Sequence, residues 1–195
     1  TGFESIAVTK VVSNNAKLYA NKEEGFVGIA LKKEDNAEFI CDCSDLSEII
    51  VIHKDGKYVV TKVSEKAFFG KDILYVGLFD RNDQRTIYNV IYREGKTSVS
   101  YAKRFAVTSV TRDKEYDITQ GTPGSQILWF TVNHNGEAET VKIYFRQRAK
   151  LKKLIDEYDF SQLLIKGRAS RGNLVSKNPI QKIQLKSKGV STIGG

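Results

Sequence analysis

Ile49-Ile-Val-Ile-His-Lys-Asp-Gly-Lys-Tyr-Val-Val-Thr-Lys-Val63 reads as two β-rich runs joined by Lys54-Asp55-Gly56. Asp-Gly between such runs is a strong hairpin signal, because the turn needs positive φ, which glycine adopts without steric cost. The pattern recurs along the chain. Lys17-Leu-Tyr-Ala20 turns through Glu23-Glu24-Gly25 into Phe26-Val-Gly-Ile-Ala-Leu31. Thr86-Ile-Tyr-Asn-Val-Ile-Tyr92 turns through Arg93-Glu94-Gly95 into the run from Lys96 to Phe105. Gln126-Ile-Leu-Trp-Phe-Thr-Val132 turns through His134-Asn135-Gly136 into Glu139-Thr-Val-Lys-Ile-Tyr-Phe145.

The turn glycines at 25, 56, 95 and 136 stand 31, 39 and 41 residues apart, and Gly172 follows after another 36. A period of that length with strands throughout predicts a radial or stacked repeat of β units. Each unit is too small to bury its apolar face alone, so neighbours must pack together. The expectation is an all-β chain of about four units with fragments of a fifth, forming a single domain over residues 1–195. Ile73–Phe79 reads as a further strand after a Gly-Lys-Asp bend. Leu151, Leu154, Ile155 and Tyr158 fit helical spacing, but the repeat needs a strand there, and strand is the reading taken.

Charge supplies a second signal. Residues 1–50 hold 5 basic and 9 acidic groups, whereas residues 51–195 hold 26 and 14. Such asymmetry points to a polyanionic partner, nucleic acid first. Cations recur through the units, among them Lys57 and Lys62, then Lys96, Lys103 and Arg104, then Lys142 and Arg146. They lead into Lys166-Gly-Arg-Ala-Ser-Arg-Gly172, with Lys177 just beyond. Small residues let this loop turn sharply and come close to a partner, and three cations on it suit a line of phosphates. Cations repeated on every unit predict a basic belt that holds bent duplex DNA by its backbone.

Other chemistry finds little support. No Gly-x-Ser-x-Gly elbow, Gly-x-x-x-x-Gly-Lys loop or His-Glu-x-x-His helix is present. Cys41 and Cys43 form one Cys-x-Cys pair, which cannot complete a four-ligand zinc site by itself, and they read as reduced structural thiols. His53 and His134 sit at hairpin turns, and Trp129 reads as core. No apolar run approaches the length of a membrane span, so no membrane partner is expected. Without Met, from Thr1 to Gly195, the chain reads as a piece of a longer protein. The competing function is a propeller-like scaffold that meets an acidic protein partner through its basic face.

Repeated strand–Gly–Lys hairpins ending in a Gly-rich basic heptad resemble the C-terminal domain of type IIA topoisomerase A subunits, those of DNA gyrase and topoisomerase IV. Arg85-Thr-Ile-Tyr-Asn-Val-Ile-Tyr-Arg-Glu-Gly95, Lys103-Arg-Phe-Ala-Val-Thr108 and Thr111-Arg-Asp-Lys-Glu-Tyr-Asp117 are similar to the version in Bacteroidetes-type bacteria. The resemblance runs from about residue 10 onward and implies a β-pinwheel, a disc of blades with DNA wrapped at its edge. The family's gyrase box reads Gln-Arg-Arg-Gly-Gly-Lys/Arg-Gly. Lys166 takes its Gln place and Gly167 its first Arg place, while Arg168 matches the second Arg. Ala169 and Ser170 replace the two glycines, Arg171 matches the basic place and Gly172 the last Gly. This degenerate box resembles that of topoisomerase IV, which implies decatenation or relaxation by the parent protein. The resemblance also implies partners, namely the remainder of a topoisomerase A subunit, with the ATPase B subunit reached through it. Localisation would be cytoplasmic, at the nucleoid. The catalytic tyrosine, ATP and Mg belong to other regions of such an enzyme, so this chain is expected to need no cofactor and to bind DNA without cutting it.

Overall fold

The computed structural model describes residues 14–194. Among them are strands and two short 3-10 turns, and no α-helix. The strands are β1 (Ala16–Asn21), β2 (Phe26–Gly28), β3 (Glu38–Cys43), β4 (Glu48–His53), β5 (Lys57–Lys62), β6 (Ala67–Phe68), β7 (Ile73–Phe79) and β8 (Ile87–Arg93). They continue as β9 (Ser100–Phe105), β10 (Glu115–Asp117), β11 (Gln126–Asn133), β12 (Thr140–Phe145), β13 (Ile155–Asp159), β14 (Asn173–Ser176) and β15 (Ile180–Ser187). Four antiparallel sheets result, in the orders β3-β1-β2-β6, β10-β5-β4-β7, β11-β8-β9-β14 and β13-β12-β15. The described residues cluster into two compact units, residues 14–53 with 59–79 and residues 54–58 with 80–194.

In the first unit the expected turn at Gly25 closes the β1–β2 hairpin, with Gly25 at φ +90°. β6, which follows β5 in the chain, comes back to pair with β2, opposing Phe26 and Phe68. Alternation sends Leu18, Ala20 and Val27 to one face, where they meet Ile49, Val51, Ile73 and Val76. Fully burying each such side chain contributes about 1.5–3 kcal/mol, so this contact between sheets is the unit's main source of stability. Cys43 lies in the same core and Cys41 at its margin, and burial pushes both thiols up.

In the second unit β8 and β9 form the hairpin expected around Gly95, with Ile91 opposite Ala102. Its turn is held by the Glu94 carboxylate, which accepts from the Thr97 amide at 2.7 Å. β11 flanks β8, and β14, arriving after β13, flanks β9. Ile91 and Ala102 then pack against Val141, Ile143, Phe145, Phe160 and Ile180. The segment read as strand rather than helix is strand from Ile155 onward, with residues 151–154 irregular: Tyr158 opposes Val141 and Asp156 opposes Ile143 in the β12–β13 pair.

One expected hairpin is corrected. The His134-Asn135-Gly136 turn does not pair the strands on either side of it, since β11 pairs with β8 while β12 pairs with β13 and β15. Gly136 has the positive φ of a hairpin glycine, +62°, but the turn is used to step between sheets. Its carbonyl accepts from the Thr192 amide at 3.0 Å, and the Ala138 amide donates to Val190 at 3.2 Å. Trp129, expected in the core, packs against the second unit's cluster, with its indole N–H donating to Glu139 at 3.1 Å.

Candidate nucleic-acid interface

Charge separates between the two units. Over the described residues, the second holds 23 basic and 12 acidic residues, a balance of +11, and the first holds 7 and 10, a balance of −3. Of the cations singled out by sequence, only Lys62 lies in the first unit, where it is exposed.

The loop 166–172 is carried by the third sheet, although it belongs in sequence to the connection between β13 and β14. It enters where the Lys166 amide donates to the Arg104 carbonyl at 3.0 Å. It leaves where Asn173 falls opposite Ala102, so both ends are fixed to β9. A turn closes within it, the Ser170 amide donating to Gly167 at 3.0 Å. Four successive carbonyls are captured by side chains. The Lys103 ammonium donates to Arg168 at 2.7 Å and to Ser170 at 2.8 Å. Gln120 donates to Ala169 at 3.3 Å, and the Tyr92 hydroxyl donates to Arg171.

The loop's guanidinium groups are oriented by rings. Arg168 lies over Tyr116 at 4.4 Å and also donates to the Thr108 carbonyl at 3.1 Å. Arg171 lies over Tyr101 at 5.2 Å and stays exposed. Arg168 is half-buried and donates to Ser109 as well, at 3.4 Å. At partly exposed sites like these a cation–π contact contributes on the order of 0.5–1 kcal/mol, enough to bias rotamers. Lys166 is exposed, with a 3.3 Å hydrogen bond to Asn173. Elsewhere in the second unit, Lys57, Lys96, Arg146 and Lys177 are exposed and Lys142 is half-buried, opposite Glu157 and Gln184.

Two cations read as phosphate contacts need correction. Lys103 and Arg104 are each 1% exposed, and neither presents its charge to a ligand. Adjacent strand residues point to opposite faces, so the pair serves two different neighbours. Lys103 spends its third donor on Ile118 at 2.8 Å, and burial pushes its pKa down to about 8 while Asp117 pulls it up. Arg104 donates to Asn89 at 2.9 Å and to the carbonyls of Gly136 and Glu137 at 2.9 and 3.3 Å. The sequence reading missed Tyr92, Tyr101, Tyr116 and Gln120 as supports of the loop. Aromatic residues at 101 and 116 within basic surroundings were the available signal.

These four sheets and their strand order define a β-pinwheel of the type found in topoisomerase C-terminal domains. The crystal structure of the C-terminal domain of DNA topoisomerase IV is similar, with a TM-score of 0.57 over 88% of this chain and 61% of that one, at 11% identity. The chain belongs to the family described as the topoisomerase C-terminal domain of Bacteroidota, whose model matches residues 17–188. A curated relative, the A subunit of DNA topoisomerase 4 from Borreliella burgdorferi, is 25% identical over 180 residues. That match takes in 92% of this chain and 26% of the relative, so the chain spans about a quarter of its length. Among the described residues no helix is long and apolar enough to cross a membrane.

Proposed function

We propose that this domain binds duplex DNA through its phosphates, without reading sequence, and bends it as part of a type IIA topoisomerase that works in the manner of topoisomerase IV. The observation that carries this reading is the 166–172 loop, whose Lys166, Arg168 and Arg171 stand on a backbone fixed to β9 with its carbonyls captured. Arginine and lysine on a pre-ordered loop contact phosphate oxygens without first losing backbone freedom. Exposed Lys57, Lys96, Arg146 and Lys177 in the same +11 unit extend the contact beyond one loop. ATP use, Mg binding and strand cleavage are assigned to other regions of the enzyme, including its ATPase B subunit, in the cytoplasm at the nucleoid.

A gel-shift titration on a duplex of random sequence, over a salt series, tests the proposal. With about 6–10 phosphates engaged, affinity falls by roughly 10³–10⁵ between 50 and 200 mM salt. Binding indifferent to salt, or no binding, overturns it. Closed circles relaxed in the presence of the domain then report bending as trapped writhe, which an acidic-protein scaffold would not produce.

A further inference from the structure

Lys103 is a buried cation whose three donors are all used, and two of its acceptors belong to the basic loop. A peptide carbonyl facing outward would oppose an approaching phosphate, since both present negative oxygen. Capturing the carbonyl removes that opposition and fixes the peptide plane. Lysine suits this place because its ammonium carries three donors on a compact head, whereas the arginine fork is planar. Lys103 also lies over the Phe105 ring at 4.8 Å, which holds the stem against the sheet. Arg168 on the loop and Asp117 on β10 are the charged groups that act on it.

We infer that Lys103 is a positioning residue of the DNA-anchoring loop, not a phosphate ligand. It draws the Arg168 and Ser170 carbonyls inward, so that the outer side of the loop offers cations. Tyr92 and Gln120 do the same for the Arg171 and Ala169 carbonyls. This inference rests on the DNA-binding reading above for its consequence, but not for the clamp itself.

Two measurements on the full 195-residue chain test it. The first needs no DNA. In Lys103→Met, amide hydrogen exchange at residues 167–172 should speed up by about tenfold or more while the β8 and β11 amides stay protected. Unchanged loop exchange in a folded variant overturns the inference. The second is a double-mutant cycle on duplex affinity at fixed salt, combining Lys103→Met with Arg168→Ala and Arg171→Ala. A residue that acts through the loop adds less than about twofold once the arginines are gone. Full additivity marks a direct phosphate contact and overturns the inference. Tyr92→Phe, which removes one hydroxyl and keeps the ring, takes the same two measurements at Arg171 if Lys103→Met does not fold. Should the parent chain fail to bind DNA, the functional reading falls and the exchange experiment still decides the clamp.

Discussion

Gly172 crosses Ala102 so closely that a β-carbon on it would lie 2.4 Å from the Ala102 carbonyl oxygen. Its φ of +92° is also one that only glycine adopts readily. Gly167, five residues earlier in the same loop, has nothing within 4 Å of an added β-carbon. The two glycines therefore respond differently to alanine. Gly172→Ala should lose about 1–3 kcal/mol of stability, and Gly167→Ala should stay within about 0.5 kcal/mol of the parent. Urea unfolding of both variants checks this, and equal losses would show that the close approach is not what constrains the loop.

Replacing Lys166, Arg168 and Arg171 together with alanine should reduce bending more than affinity, because other exposed cations of the second unit still hold the backbone. Fluorescence energy transfer between the ends of a short duplex at saturating protein measures the bend. Equal bending by variant and parent would refute a special role for the loop.

The Arg104 side of β9 carries a different expectation. Glu139 is buried and accepts from Trp129, Thr131 and Asn89, while Asn89 accepts from Arg104. Glu139→Ala leaves Arg104 as a buried cation short of its compensating charge, at a cost on the order of 3 kcal/mol. A denaturant midpoint close to the parent's would contradict that network.

Much of the fold was readable from glycine. The hairpin at Gly25 follows from a positive-φ glycine turn between β-rich runs. The one at Gly95 was placed correctly, although there Ser98 (φ +59°) and not the glycine takes the positive φ, and the β13 strand follows from where the repeat needs one. Gly136 was misread because a turn's local chemistry does not say whether the strands beside it share a sheet. That is decided by whether residues such as Ala138 and Val141 find their core on the same layer or the next. At the interface the basic loop was legible, but the fate of Lys103 and Arg104 was not. Two adjacent cations look like a surface patch until a central strand is covered on both faces. Phe105 and Ala102 beside them, each fully buried, were the hint.

Lys103 makes stability depend on alkaline pH. Its folded pKa of about 8 lies below its ordinary value of 10.5, so unfolding takes up a proton between those values. The cost of burying the ammonium is complete below pH 8 and is relieved as pH rises towards 10.5. Asp117 favours the charged form and Arg168 opposes it. Thermal midpoints of the parent and Lys103→Met, measured from about pH 7 to about 10, should therefore diverge in the parent's favour as pH increases. Parallel curves would mean that the lysine titrates normally.

β14 completes a sheet whose other strands were all made earlier in the chain. During synthesis on the ribosome the outer edge of β9 emerges long before its partner, with the whole stretch from Ala106 to Gly172 still to come. Until then Lys103 lacks two of its three acceptors, and the strand offers unpaired backbone groups to any neighbour. A nascent or proteolysed chain ending before Asn173 thus leaves that edge of β9 open to pairing with another chain and lacks the β14 end of the loop's attachment. Protection of that edge and ordering of the 166–172 loop both wait on the arrival of the same few residues.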